Sequence, residues 1–325
     1  MTELIFGVGV PTSAAPGEDP VGMAQEAERL GYDFVSAADH PTGDSPSYET
    51  TVMLTWIAAR TSRIKVASRV LAVPFRRPAM VAKLAASLDV LSGGRFILGL
   101  GAGYSDQEIT ALGGTALSPA GKIDGLAEAI QIIRGAWTHS GYTQDGHYHG
   151  VRDLEMEPKP LRAIPVWLGT FGPRALAVTG RLADGWIPSL GYMPTEQIPA
   201  MRHRIDAAAQ AAGRRPGDIR SILNLSIRID PDAQPRPDSV TGSCRQVTGQ
   251  LRDLLGLGFT GFNFILSDPD RIASMRQIAH DVLPALRVAG RPGVHARGRQ
   301  AGRVIEAIVF GLFGVPRSAC NSQGW

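Results

Sequence analysis

The chain has 325 residues, 44% apolar and 19% charged, enough apolar material for one large core or two modest ones and with no apolar run long enough to span a bilayer. Its net charge of +3 is concentrated after Val288, where Arg291, Arg297, Arg299, Arg303 and Arg317 face one acid, Glu306. The nearly neutral remainder argues against a polyanion-binding body, and two distant cysteines, Cys244 and Cys320, fit neither a disulfide framework nor a zinc site. Met1 leads into a strand without a signal-peptide charge pattern, so the expectation is a soluble, cytoplasmic protein without membrane or nucleic-acid partners.

In chain order, Leu4–Val10 reads as a strand, and Pro20–Leu30 carries helical periodicity that stops at Gly31. Asp33–Ala38 is the next strand and ends in Asp39-His40-Pro41. Tyr48–Arg60 is helical, Ile64–Leu71 is rich in strand formers, and Pro78–Leu91 is a helix with proline in its first turn. The apolar run Phe96-Ile97-Leu98 follows, with glycines at Gly99, Gly101 and Gly103. Four strand–helix units within about 110 residues predict a parallel sheet with right-handed crossovers.

The period breaks after a helix around Ile123–Trp137. Tyr142–Pro160 holds the turn pair Asp145-Gly146 between alternating polar segments, which predicts a hairpin inserted over about residues 140–162. Strands at Pro165–Gly169, Gly185–Ser189, Ile219–Ile229 and Gly261–Leu266 then alternate with helices at Arg174–Ala183, Thr195–Ala212, Ser243–Leu257 and Pro269–Leu286. Eight strands is the number that closes a TIM-type (β/α)8 barrel, here over residues 1–287. Residues 288–325, rich in Gly, Pro and Arg, are expected to be a poorly ordered basic tail.

Three loops carry candidate chemistry. Gly99-Leu-Gly-Ala-Gly-Tyr104 lacks the third glycine of a dinucleotide fingerprint, since Tyr104 stands there, and it lacks the Lys-Ser/Thr of a phosphate-binding P-loop. It fits a ligand loop or tight packing. Asp39-His40 falls where barrel enzymes present reactive groups, with a histidine able to exchange a proton and a carboxylate able to accept a ligand N–H; a helix-capping Asp beside a solvated His fits equally. Gly169-Thr-Phe-Gly-Pro-Arg174 opens a helix whose free N–H groups suit phosphate, and Gly180-Arg181 are placed to complete that anion site. His147 and His149 are expected on one side of a hairpin strand, without the third ligand a metal needs, and no metal site is predicted.

Taken together, Ala38-Asp-His40, Val66-Ala-Ser-Arg-Val-Leu71, the stretch Gly93–Tyr104 and Thr179-Gly-Arg-Leu-Ala-Asp-Gly-Trp186 resemble the bacterial luciferase-like superfamily. Within it, residues 4–287 look most like oxidoreductases that use the deazaflavin coenzyme F420. The resemblance implies hydride transfer between deazaflavin C5 and a small organic substrate. An FMN monooxygenase served by a separate reductase, or a non-catalytic flavin-binding protein, is the alternative.

By the same resemblance, Asp39 and His40 lie by the ring with His40 or Tyr104 handling a proton, and Arg69 and Val70 form a strand-three bulge with a non-prolyl cis peptide behind the ring. Gly101 and Gly103 line ring and ribityl chain, Thr170, Phe171, Gly172 and Gly180 hold the phosphate, and the protein is a homodimer. Members that oxidise glucose 6-phosphate carry an acid where Tyr104 stands and an aromatic residue where Asp44 stands, which sets this chain apart from that activity.

Overall fold

The computed structural model describes residues 3–234 and 236–289; the tail expected over 288–325 lies, from residue 290 on, outside the described residues. The strands are β1 (Ile5–Gly9), β2 (Phe34–Ala37), β3 (Lys65–Ser68), β4 (Leu71–Ala72), β5 (Phe96–Gly101), β6 (Tyr142–Gln144), β7 (Val151–Leu154), β8 (Val166–Leu168), β9 (Gly185–Trp186), β10 (Arg220–Ile229), β11 (Ser239–Gly242) and β12 (Gly261–Leu266). The helices are α1 (Pro20–Arg29), α2 (Thr50–Ala59), α3 (Pro78–Leu91), α4 (Asp106–Ala111), α5 (Pro119–Thr138), α6 (Pro173–Leu182), α7 (Ile198–Ala211), α8 (Cys244–Gly256), α9 (Arg271–Gln277) and α10 (Leu283–Ala289). No described helix is long and apolar enough to cross a membrane.

Neighbouring parallel strands run β1, β2, β3, β5, β8, β9, β10, β12 and back to β1, closing the predicted eight-stranded barrel. Period-two alternation sorts each strand into two faces. Outward residues such as Phe6, Val8, Val35 and Val66 pack under the helices. Inward residues Phe34, Ala67, Ile97, Trp167, Ile187 and Ile222 form a separate cluster filling the barrel. Phe34 meets Trp167 edge-on at 5.4 Å, a geometry worth about 0.5–1.5 kcal/mol beyond area burial. Phe34 also needs Gly7, where an added Cβ would lie 2.3 Å from its ring.

Three sequence readings change. The strand read from the residues over Ile64–Leu71 is two short strands, because an extra residue interrupts its pairing with β5 at the bulge that the family resemblance implied for Arg69 and Val70. β11, paired parallel to the end of β10, falls in a polar stretch with no apolar signal and was not anticipated. The inserted hairpin pairs β6 with β7 as expected, but His147 and His149 lie in its connecting loop rather than on one side of a strand. Glu128 on α5 accepts the backbone N–H groups of His147, Tyr148 and His149 at 2.8–2.9 Å, which clamps the loop to the barrel.

Candidate active site

The mouth of the barrel at the carboxyl ends of the strands is organised by the break in its third strand. Ala67 pairs with Ile97 below the break and Leu71 with Leu100 above it. Three residues therefore oppose two, the arithmetic of a β-bulge. The Arg69–Val70 peptide is cis, as the resemblance implied for this position. The extra residue turns Val70 into the mouth instead of the outer core. Glycines on the facing strands make room for it: a Cβ on Gly99 would lie 2.0 Å from the Ser68 carbonyl oxygen, and one on Gly101 2.7 Å from Val70 Cγ2. Gly103 has φ +78° and packs against Pro74. These glycines are thus spent on the bulge and its following turn, and they shape any ligand site through Val70.

Asp39 departs from its predicted role. Its side chain is fully buried and accepts from the Ala72 N–H at 3.0 Å and from both terminal nitrogens of Arg76 at 2.7 and 2.8 Å. Arg76 also reaches Glu49 at 2.6 Å. Burial opposes the guanidinium charge, but the two carboxylates outweigh it and push its pKa upward. Three of the bonds this carboxylate can accept are thus taken within the protein, and the side chain braces β2 against β4 and the bulge. Arg76, six residues past the bulge, carried no sequence signal for this role.

His40, next in sequence, points the other way and is half exposed. Its Nδ1 lies 3.1 and 3.2 Å from the two carboxylate oxygens of Glu108. An ionised carboxylate only accepts, so Nδ1 is the donor and Nε2 is left for a ligand. Tyr104 stands edge-on to the imidazole with ring centroids 6.1 Å apart, and it is 79% exposed. Glu108 was missed, although Ser105-Asp-Gln-Glu108 has the spacing of a capping box. Ser105 does cap α4, accepting from the Glu108 N–H at 3.2 Å. The Glu108 side chain, however, turns to His40.

On the other side of the mouth, α6 starts at Pro173 with no side-chain cap. Its first helical bond runs from the Leu176 N–H to the Gly172 carbonyl oxygen, and the amides of Arg174 and Ala175 bond to nothing among the described residues. A Cβ built on Gly172 would meet open space, so an anion has both donors and room here. Phe171 stacks on Tyr192 beside it, with centroids 5.7 Å apart.

Two predicted phosphate residues are corrected. Thr170 is buried and its hydroxyl bonds to Thr179 Oγ1 at 2.7 Å, so its side chain faces α6 and not the loop. Gly180 lies inside α6, where an added Cβ would come 2.3 Å from the Ile205 carbonyl oxygen; it permits close packing on α7 and is remote from the helix N-terminus.

A cavity of about 560 Å³ lined by Asp33, Lys65, Arg162 and Arg220 sits at the opposite, amino-terminal end of the strands. That end of such barrels serves stability, whereas reactive groups are carried by the loops at the carboxyl ends of the strands, where His40, Glu108 and Tyr104 meet. A second cavity, about 470 Å³, lies between the β4–α3 turn and the hairpin loop on the mouth side.

Fold and site together define an α/β-barrel protein that presents its chemistry at the carboxyl ends of the strands. The sequence profile of the luciferase-like monooxygenase family matches residues 5–260, and the chain belongs to that family. An F420-dependent glucose-6-phosphate dehydrogenase of Kribbella flavida is 30% identical, with the alignment covering 84% of this chain and 95% of the relative. The corresponding enzyme of Microbacterium testaceum is 31% identical over 63% of this chain; the chain spans 62% of that relative's length. Among solved structures, an F420-dependent secondary alcohol dehydrogenase superposes with a TM-score of 0.79 at 17% identity, covering 88% of this chain and 99% of the other, a likeness of fold.

Proposed function

We propose that the chain is an F420-dependent oxidoreductase moving a hydride between deazaflavin C5 and a small organic substrate. The observation that carries this reading is the His40–Glu108 pair in the loops that follow β2 and β5 at the carboxyl ends of the strands, in a chain whose relatives bear F420-dependent names. The residues present fit the cofactor: open space at Gly172 and the free amides of α6 suit its phosphate, and Val70 gives its ring a rigid apolar rest.

When bound, the deazaflavin supplies the hydride acceptor or donor. His40 takes the substrate hydroxyl proton on Nε2 during oxidation, or returns it during reduction, while Glu108 holds the ring orientation through Nδ1. Tyr104, edge-on to His40, covers the substrate side. Phe171 and Tyr192 wall the anion loop. The acid and aromatic residue that mark glucose 6-phosphate oxidation are replaced by Tyr104 and Asp44, which favours a different substrate.

Titration of the purified protein with F420 and with FMN tests the cofactor. Saturable F420 binding is expected; tight FMN binding without F420 binding would point instead to the reductase-served monooxygenase.

We further propose that the protein pairs with a second copy through α2. This helix carries no charged residue: Met53, Leu54 and Ile57 are buried, while Val52 and Trp56 on its outer face are 67% and 58% exposed, with Met80 of the neighbouring α3 at 62%. A helix without a polar face calls for cover on both sides. Sedimentation is expected to give a dimer for the wild type and a monomer for Trp56→Glu; a monomeric wild type would end this reading.

A further inference from the structure

Arg69 is the one residue of the bulge whose side chain the fold leaves unanswered. A Cβ built on Gly9, at the end of β1, would lie 3.7 Å from Arg69 Nη2 and 2.7 Å from Ile265 Cδ1 of β12. The Gly9 Cβ direction is inward, since Gly9 is in register with Ser36, whose hydroxyl bonds to Asn263 inside the barrel. The guanidinium therefore reaches across the mouth toward β1 and β12, while Val70 packs toward β5 and β8.

Surrounding protein desolvates this guanidinium enough to pull its pKa down to about 10, although the residue keeps some accessible surface. Among the described residues its Nε is buried without a partner, none of the guanidinium nitrogens makes a hydrogen bond, and no carboxylate lies within 4.0 Å. Nearby polar groups are engaged with one another: Ser36 donates to Asn263, which donates to Asn224. Three other arginines on this side are neutralised, Arg76 by Asp39 and Glu49, Arg228 by Asp230 and Asp268, and Arg271 by Glu18, and Arg77 is exposed to solvent. A desolvated charge without a counter-charge is costly, and a planar fork of free N–H donors matches an oxyanion.

We propose that Arg69 is an oxyanion receptor that pairs with a carboxylate or phosphate group of the substrate at the barrel mouth and so selects acidic substrates over neutral ones. The inference rests on the mouth being the substrate site of the deazaflavin enzyme proposed above. The bound group is not the cofactor phosphate, because the guanidinium reaches toward β1, which stands opposite β8 in the eight-strand order, and α6 follows β8.

The test uses F420-saturated protein at an ionic strength held constant with chloride. Calorimetric titrations are made with lactate, with inorganic phosphate, and with 2-propanol, in which a methyl replaces the lactate carboxylate. Lactate or phosphate is expected to bind the wild type about tenfold or more tightly than Arg69→Gln, the size of one charge-assisted pair, with Arg69→Lys between them and 2-propanol indifferent to the substitution. Absence of anion binding to the wild type, or equal affinities in wild type and Arg69→Gln, overturns the proposal. So does a loss of F420 affinity in Arg69→Gln with anion affinity unchanged, which assigns the guanidinium to the cofactor. If the wild type takes up no F420, the cofactor reading fails on its own, and the lactate titration of the protein alone still decides Arg69.

Discussion

Replacing His40 with alanine is expected to lower kcat about 10²–10⁴-fold, the range associated with a positioned proton-transfer group, while F420 affinity changes by no more than about threefold. The imidazole is half exposed and, among the described residues, makes its one polar contact through Nδ1 to Glu108, so its removal opens no core cavity. Glu108→Gln is expected to act in the same direction but less strongly. Glutamine keeps an acceptor for Nδ1–H but lacks the negative charge that stabilises the imidazolium. Single-turnover measurements with F420 separate the chemical step from release. Unchanged turnover in His40→Ala would remove the residue from the proton path and pass the role to Tyr104.

The second large effect falls on stability. Asp39→Ala is expected to destabilise the protein by about 3–5 kcal/mol, because it strips a partly buried guanidinium of its main partner and leaves the Ala72 N–H without an acceptor. Glu49 offers Arg76 a single contact from a more exposed position and does not replace the bidentate pair. Asp39→Asn retains an acceptor for Ala72 and is expected to cost less. Denaturant unfolding checks the order of the two variants. Because Asp39 ties β2 to β4, F420 affinity should fall with stability in Asp39→Ala, in contrast to His40→Ala. A stable Asp39→Ala protein that had lost only cofactor binding would restore the direct ligand role and refute the brace.

Adjacent residues thus divide the work. Asp39 and His40 follow the same strand, and the sequence offers both as mouth residues. Alternation sends one carboxylate back to Arg76 and the imidazole out to Glu108, so only His40 faces a ligand. The same holds for Gly101 and Gly180. Each reads as a place for close backbone approach, and each is one, but the approaching group is Val70 in the first case and the backbone of α7 in the second.

The order and number of the barrel strands and the inserted hairpin were legible from the sequence, as was the placement of His40, Tyr104, Phe171 and Gly172 in loops at the carboxyl ends of those strands. Apolar period, turn glycines and the prolines that open helices are local signals, and eight such units close into a barrel in essentially one way. What only the tertiary structure decided is which side chains are consumed internally. The Arg76–Asp39, Glu108–His40 and Thr170–Thr179 contacts span 37, 68 and 9 residues. They depend on strand register and on a bulge of one residue. A shift of one position reverses the face of every side chain beyond it, and the apolar period of Val66–Leu71 does not record where the extra residue falls; only the family resemblance placed the bulge at Arg69 and Val70.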